Sequence, residues 1–200
     1  MRLILAPITT DNLEEYWQAA WGKSDLEWMK FNGPYFKDPV PKHDEFVEKT
    51  GIAKYVGNPL NRLIIVDNKI VGMVGAYYED GELKRWLDFG IVIFSQDNWS
   101  KGIGTEVLKQ WISYLFDLTD LPHLSFTTWS GNPGMIKLGY KLGMQEEARI
   151  RQVRYWNNQY WDSVKFGILQ NEWKRIKDYY INEKRIIINI TFKDMVGDLL

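Results

Sequence analysis

Residues 98–108 read NWSKGIGTEVL, which places Gly102 and Gly104 one residue apart between the apolar run GIVIF and a stretch of helical periodicity. Glycine is among the residues least suited to a helix interior, so two of them at a helix start call for a physical reason. The first N–H groups of a helix have no internal partner, and the helix dipole makes that end partly positive, which suits a phosphate. A glycine in the loop lets an anion reach the backbone with no Cβ in the way, and Lys101 adds a positive charge. Two familiar phosphate loops do not fit. GxxxxGK[ST] is absent, and position 107, where a dinucleotide fingerprint needs its third glycine, is Val107. A tight turn with close helix–strand packing explains the pair as well as anion binding does.

Outward from this stretch, the pattern predicts a strand over 1–8, then a helix capped by Asp11 and Glu14 and carrying Leu13, Tyr16, Trp17 and Ala20. Short helices are expected over 25–31 and 43–50, on either side of the proline-rich loop NGPYFKDPVP. RLIIVD, KIVGMVGAYY and ELKRWLDFGIVIF read as a three-stranded antiparallel meander turned at Asp67-Asn68 and Asp80-Gly81. Ile103, Val107, Leu108, Trp111, Ile112 and Leu115 fall on one helical face, predicting a helix over 102–116. HLSFTTW is a short strand, and the next helix opens at Asn132-Pro133 and stops at Gly143. A hairpin over 146–156 and 160–169 turns at Asn157-Asn158, and a helix over 171–181 follows. KRIIINITF has the composition of one more strand. The fold class is α/β (α+β), a central mixed sheet with helices on both faces.

Twenty-five basic and 26 acidic residues leave a net charge of −1, so no overall field recruits nucleic acid or an anionic membrane. Cysteine is absent, which excludes disulfides, thiolate metal sites and a cysteine nucleophile. MRLILAPI is too short for a signal peptide, and no run of about 18 apolar residues appears. His43 and His123 lack metal-ligand spacing, so no metal is expected. The expectation is a soluble cytoplasmic protein.

The segments GIVIF, NWSKGIGTEVLKQWISYLF and TTWSGNPGMIKLGYKLGMQEEARIRQVRYWNNQYWDSVKFGILQNEW together resemble the GNAT superfamily of acetyl-CoA-dependent N-acetyltransferases. The likeness is greatest to the branch holding Rim-type ribosomal-protein N-terminal acetyltransferases and polyamine acetyltransferases, and it covers residues 60–173 best. Gly102 and Gly104 match the small positions of the family's [QR]xxGx[GA] pyrophosphate loop, whose first position is Trp99 here. Asn132 and KLGM match a second element at the right spacing. The resemblance implies a mostly antiparallel twisted sheet of about seven strands, with a splayed strand pair that binds acetyl-CoA. It further implies one domain over 1–182 and a C-terminal extension over 183–200.

On the same grounds Ile91, Val92 and Ile93 would pair with pantetheine, while Trp99, Ser100, Lys101, Gly102, Ile103, Gly104 and Thr105 would surround the pyrophosphate and Asn132 would complete the cofactor site. Asp88, Glu146, Glu147 and Asp162 are candidate bases, each of which can equally be a strand-end carboxylate paired with Arg149, Arg151 or Arg154. Many relatives protonate the departing thiolate with a tyrosine seven residues after the asparagine, a position held here by Gly139. Tyr140, the candidate acid, is turned about 100° from it on a helix. Tyr35 and Phe36 would stand in the acceptor wall, and the carboxylates of YEDGE and QEE would suit a polyamine. The expected function is acetyl transfer to a primary amine: a protein N-terminus, a polyamine or a small amine. The alternatives are a catalytically silent CoA-binding sensor and a structural protein without a ligand. The apolar C-terminal segment suggests a homodimer.

Overall fold

The computed structural model describes residues 1–24 and 26–178. Seven strands form one sheet in the order β1-β2-β3-β4-β5-β7-β6. They are β1 (Leu3–Pro7), β2 (Asn61–Val66), β3 (Lys69–Tyr78), β4 (Leu87–Ile93), β5 (His123–Trp129), β6 (Gln145–Trp156) and β7 (Gln159–Leu169). All neighbours are antiparallel except β4 and β5, which run parallel. The hairpin turns follow from side chains that tolerate left-handed backbone. Asp67 and Asn68 have φ of 47° and 65°, and Asn157 and Asn158 have 52° and 59°.

Three short elements depart from the sequence expectation. The Asn12 carboxamide accepts the Thr9 N–H at 3.0 Å and closes a 3-10 turn, so α1 (Leu13–Trp21) starts after Asn12 and Glu14 bonds to Gln18 and His43 instead of capping. Of the helix expected over 25–31, the described residues 26–31 give one 3-10 turn, Glu27–Lys30, pinned where the Trp28 indole donates to Ala20 O at 2.9 Å. The next helix is longer than 43–50. It runs from α2 (His43–Glu45) through a π-helical turn (Phe46–Thr50) into α3 (Gly51–Tyr55). In the meander, the Asp80 carboxylate takes the Arg85 N–H at 3.0 Å and Lys84 is left-handed. That closes a loop, and β4 begins at Leu87 rather than near Glu82.

Helices cover both sheet faces. On one face lies α4 (Ile103–Thr119), and all six residues of its predicted apolar stripe are buried. Each such aliphatic side chain contributes roughly 1.5–3 kcal/mol on burial. Beside α4 are α5 (Pro133–Lys141) and helix α6 (170–178), tied to α4 where the Trp173 indole donates to Ser113 Oγ at 3.0 Å. The other face carries α1, the Glu27–Lys30 turn and α2–α3 around an aromatic cluster that includes Tyr16, Trp28, Phe46 and Phe94. Among the described residues no helix is long and apolar enough to cross a membrane. The strand read in KRIIINITF lies outside the described residues.

Candidate active site

The parallel pair β4–β5 touches only at Leu87–Leu124 and Asp88–Ser125, then opens. β4 continues beyond that point paired on its other side with β3. Phe94 N–H donates to Val71 O, so strand alternation turns the main-chain groups of Val92 toward β3 as well. Ile91 and Ile93 therefore face the gap with their backbones. Of the three residues expected to pair with pantetheine, Val92 offers a side chain to the opposite face instead. The Ile93 carbonyl is already bonded to the Trp99 indole at 2.9 Å.

Below the gap stands the N-terminus of α4, and its two glycines serve different purposes. Gly102 is the N-cap with φ +81°, a conformation that costs a side-chain residue, and a Cβ there would meet nothing within 4 Å. Gly104 is inside the helix, where a Cβ would lie 3.3 Å from Leu138 of α5, so it lets α4 and α5 approach. Ser100 is left-handed too (φ 59°), and Lys101 is exposed beside the free N–H groups of the first turn. Ile103 and Thr105 point inward and are buried, leaving only their backbones toward a ligand. The loop's side chains thus anchor it, and its N–H groups and Lys101 are what remain for an anion. These features fit the diphosphate and pantetheine of a CoA thioester.

Trp99 and Asn132 converge on Phe31. The Trp99 ring meets the Phe31 ring edge-on at 5.3 Å. The Phe31 carbonyl accepts both the Asn132 carboxamide N–H at 3.2 Å and the Trp129 indole at 3.1 Å. The Asn132 side-chain oxygen caps α5 by accepting Met135 N–H at 3.1 Å. Each end of that carboxamide thus has one partner within the protein, and its second N–H and second lone pair remain for a ligand.

The ionisable candidates are also paired. Asp88 is fully buried, and its carboxylate accepts Ser125 Oγ, Thr127 Oγ1 at 2.9 Å and Lys165 Nζ at 3.0 Å. Lys165 also lies 4.2 Å from the Trp86 ring centroid and 3.6 Å from Glu79. Glu146 is held by Arg149 through two bonds of 2.8 and 3.0 Å and accepts the Tyr140 hydroxyl at 2.6 Å. Arg149 foremost, then Tyr140, hold the Glu146 carboxyl below its ordinary pKa, and the Glu146 bond raises that of Tyr140. Arg149 also reaches Asp162 at 3.3 Å, and Glu147 meets His123 at 2.9 Å. Among the described residues no group of three or more His, Asp or Glu side chains is placed to hold a metal ion.

On the face opposite α4, a cavity of about 630 Å³ reaches β4 at Val92 and Phe94. Its walls come from α1, the proline-rich loop, α2–α3, the sheet and Trp156 at the hairpin tip. Gly33 and Pro34 of GPYF line it, whereas Tyr35 and Phe36 stack on the Arg154 guanidinium at 4.9 and 5.3 Å. Tyr16, Met73, Phe94 and Trp156 were not foreseen as site residues. For Tyr16 and Trp156 the signal in the sequence was an excess of aromatics in the early helices and at the Asn-Asn turn, which packing alone also explains, and Met73 and Phe94 carried none.

A family model described as an acetyltransferase (GNAT) domain matches residues 2–145. The chain belongs to the GNAT acetyltransferase family. YdaF of Bacillus subtilis (strain 168), whose name marks it as a provisional ribosomal N-acetyltransferase, is 25% identical over 117 residues, 58% of this chain and 63% of that protein. The N-acetyltransferase YoaA of the same strain, uncharacterized by its name, is 24% identical over 51% of this chain and 56% of its own length. The chain thus spans less than two thirds of the curated relatives it matches. A GNAT-family acetyltransferase structure from Bacillus anthracis superposes with a TM-score of 0.68 at 21% identity, covering 86% of this chain and 97% of that one. A spermidine N-acetyltransferase from Vibrio cholerae, in complex with CoA and spermine, gives 0.67 at 20% identity over 86% and 97%. At such identities the likeness is one of fold.

The GNAT frame gives one departure a structural cause. Gly139 occupies the position that carries a tyrosine in many members, and here it packs on the stacked rings of Phe126 and Phe166. A Cβ on Gly139 would lie 2.9 Å from both rings, so a larger residue enters only if the rings shift. Tyr140, one position on, is 56% exposed and turned to Glu146.

Proposed function

We propose that this GNAT chain transfers the acetyl group of acetyl-CoA to a primary amine. The observation that supports it most is the single parallel strand pair, which opens after Asp88–Ser125 and leads along β4 to Ile93, where a Cβ on Gly104 at the start of α4 would lie 3.9 Å from the Ile93 side chain. When bound, acetyl-CoA supplies an activated acetyl group. The first-turn N–H groups of α4, with Lys101, hold the diphosphate. Ile91, whose N–H and C=O both face the gap, fixes the pantetheine arm and can donate to the thioester oxygen as charge builds there. The amine approaches from the cavity at Val92 and meets the thioester through the open β4–β5 gap, where the nitrogen can come within about 3.5 Å of the acetyl carbon.

Asp88 fits a positioning role: enclosed by two hydroxyls and Lys165, it locks β4 to β5 and β7 at the point where the gap begins. Glu146 is ion-paired with Arg149 and accepts the Tyr140 hydroxyl, so both are already engaged, and water serves better as the proton acceptor and donor. We further place the domain over residues 1–182, with 183–200 as an extension.

The test is thiol release from acetyl-CoA across α-amine peptides, polyamines and small amines. The chain has no cysteine, so a thiol reagent reads product alone. Turnover with an amine supports the proposal. Acetyl-CoA binding by calorimetry without release on any amine would make the chain a silent CoA sensor, and absence of binding would remove the cofactor site as well.

A further inference from the structure

The walls of the acceptor cavity carry information on what enters it. Tyr16, Trp21, Trp28, Phe46, Phe94 and Trp156 give it aromatic surface on several sides. The Tyr16 hydroxyl is turned to Met73 Sδ at 2.9 Å, and burial raises its pKa well above the ordinary phenol value, so that ring offers no anion. Among the described residues, the charged ones in the lining are Lys30, Lys37, Lys54 and one carboxylate, Asp38. Lys30 is paired with Glu27, and Lys54 lies 5.1 Å from the Tyr55 ring centroid. The carboxylates that the sequence offered to a polyamine do not line this cavity. Glu79 pairs with Lys165, Asp80 closes its own loop, Glu146 pairs with Arg149 and Glu147 with His123.

A polyamine brings two or more ammonium groups, and each one taken from water needs an anionic partner or costs several kcal/mol. Described wall residues with one carboxylate and three lysines do not supply them. An apolar body with one basic nitrogen gains from the same walls, and a cavity of about 630 Å³ is of the size that takes small molecules. We infer that the acceptor is a small primary amine with a single basic nitrogen on an aromatic or similarly apolar body, of the arylalkylamine class. This rests on the acetyl-transfer reading above.

The cavity then also prepares the nucleophile. An alkylammonium has a pKa near that of lysine, about 10.4, and desolvation disfavours its charged form. Neighbouring lysines act in the same direction. The proton leaves to water as the amine settles against the aromatic wall, without a side-chain base. The nitrogen lone pair forms the C–N bond, the C–S bond breaks with its electrons on sulfur, and the second amine proton passes through water to give the free thiol. Products are the N-acetylated amine and CoA.

Two arms separate this inference from the reading beneath it. In the first, 2-phenylethylamine and spermidine are titrated calorimetrically into the full-length protein saturated with CoA. The expected result is at least about tenfold tighter binding of 2-phenylethylamine. Equal or tighter binding of spermidine, or binding of neither, overturns the acceptor class. In the second arm, acetyl-CoA turnover is compared for the two amines. A higher kcat/KM for 2-phenylethylamine supports the class, and a higher one for spermidine overturns it while acetyl transfer stands. If 2-phenylethylamine binds selectively and no amine is acetylated, acetyl transfer falls and the acceptor class holds. The double variant Lys37→Glu/Lys54→Glu, at two exposed positions, should shift the spermidine preference upward by about tenfold. No shift would overturn the charge argument.

Discussion

Removing the Asp88 carboxylate should be among the most damaging single changes in the sheet. Asp88→Ala leaves the Lys165 ammonium, 17% exposed, without its nearer partner, and Glu79 at 3.6 Å remains. It also strips the acceptor from Ser125 and Thr127. Breaking a buried pair by deleting one member costs about 3–5 kcal/mol. With a urea m-value of about 2 kcal/mol/M for a domain of this size, the midpoint should fall by roughly 2 M. Lys165→Met should be destabilising for the converse reason, since it leaves the carboxylate with hydroxyl donors alone. The double variant Asp88→Ala/Lys165→Met should recover about 1–3 kcal/mol relative to the sum of the two singles. The assay is urea unfolding followed by circular dichroism. A loss below about 1 kcal/mol for Asp88→Ala would refute the structural role. So would an Asp88→Asn variant of unchanged stability whose thiol release fell by about a thousandfold, because that pattern belongs to a base.

Other expectations follow from single contacts. Gly139→Ala drives a methyl into Phe126 and Phe166 and should cost about 1–3 kcal/mol, while Tyr140→Phe should leave both the unfolding midpoint and thiol release unchanged. Gly102→Ala should cost about 1 kcal/mol through its left-handed backbone, whereas Gly104→Ala should be nearly neutral, because the flexible end of Leu138 can yield; thermal unfolding of the two variants checks this. His43 lies 2.7 Å from both Asp44 and Glu14, and these bonds, Asp44 first, raise its pKa above 6.5. Its stabilising contribution is therefore fully present below pH 6.5 and lost as pH rises through the folded value. The imidazole titration followed by NMR should show a midpoint above 6.5 that drops on Asp44→Asn.

Periodic segments were legible because their signal is local. The α4 stripe from Ile103 to Leu115 is buried throughout, and Asn157-Asn158 turns the β6–β7 hairpin as two left-handed residues must. The glycine pair was legible as a helix start, though the separate tasks of Gly102 and Gly104 depend on α5, which approaches from 34 residues downstream at Leu138. Ionisable residues were far less legible. Asp88 reads as a strand-end carboxylate until Lys165, 77 residues away, is brought to 3.0 Å. Glu146 reads as a base until Arg149 is seen to hold both its oxygens. The cavity was hidden for a similar reason: six separated segments build it, and each aromatic taken alone has the composition of core. The shift of the β4 start from Glu82 to Leu87 came from one side chain, Asp80, capturing the Arg85 N–H.

Phe31 makes a single mechanical unit of the two substrate walls. Its carbonyl ties the acceptor loop to Trp129 and to Asn132 at the start of α5, and its ring rests on Trp99, whose indole clasps the end of β4 beside the phosphate loop. On the proposed acetyl transfer, filling the donor side should stiffen a loop that also borders the acceptor cavity, so that the second partner meets a surface already set. The expected kinetic expression is a compulsory order, nucleotide thioester first and amine second. Product-inhibition patterns would reveal it, with CoA competitive against acetyl-CoA and noncompetitive against the amine. Random order would mean that the Phe31 linkage is too compliant to transmit anything.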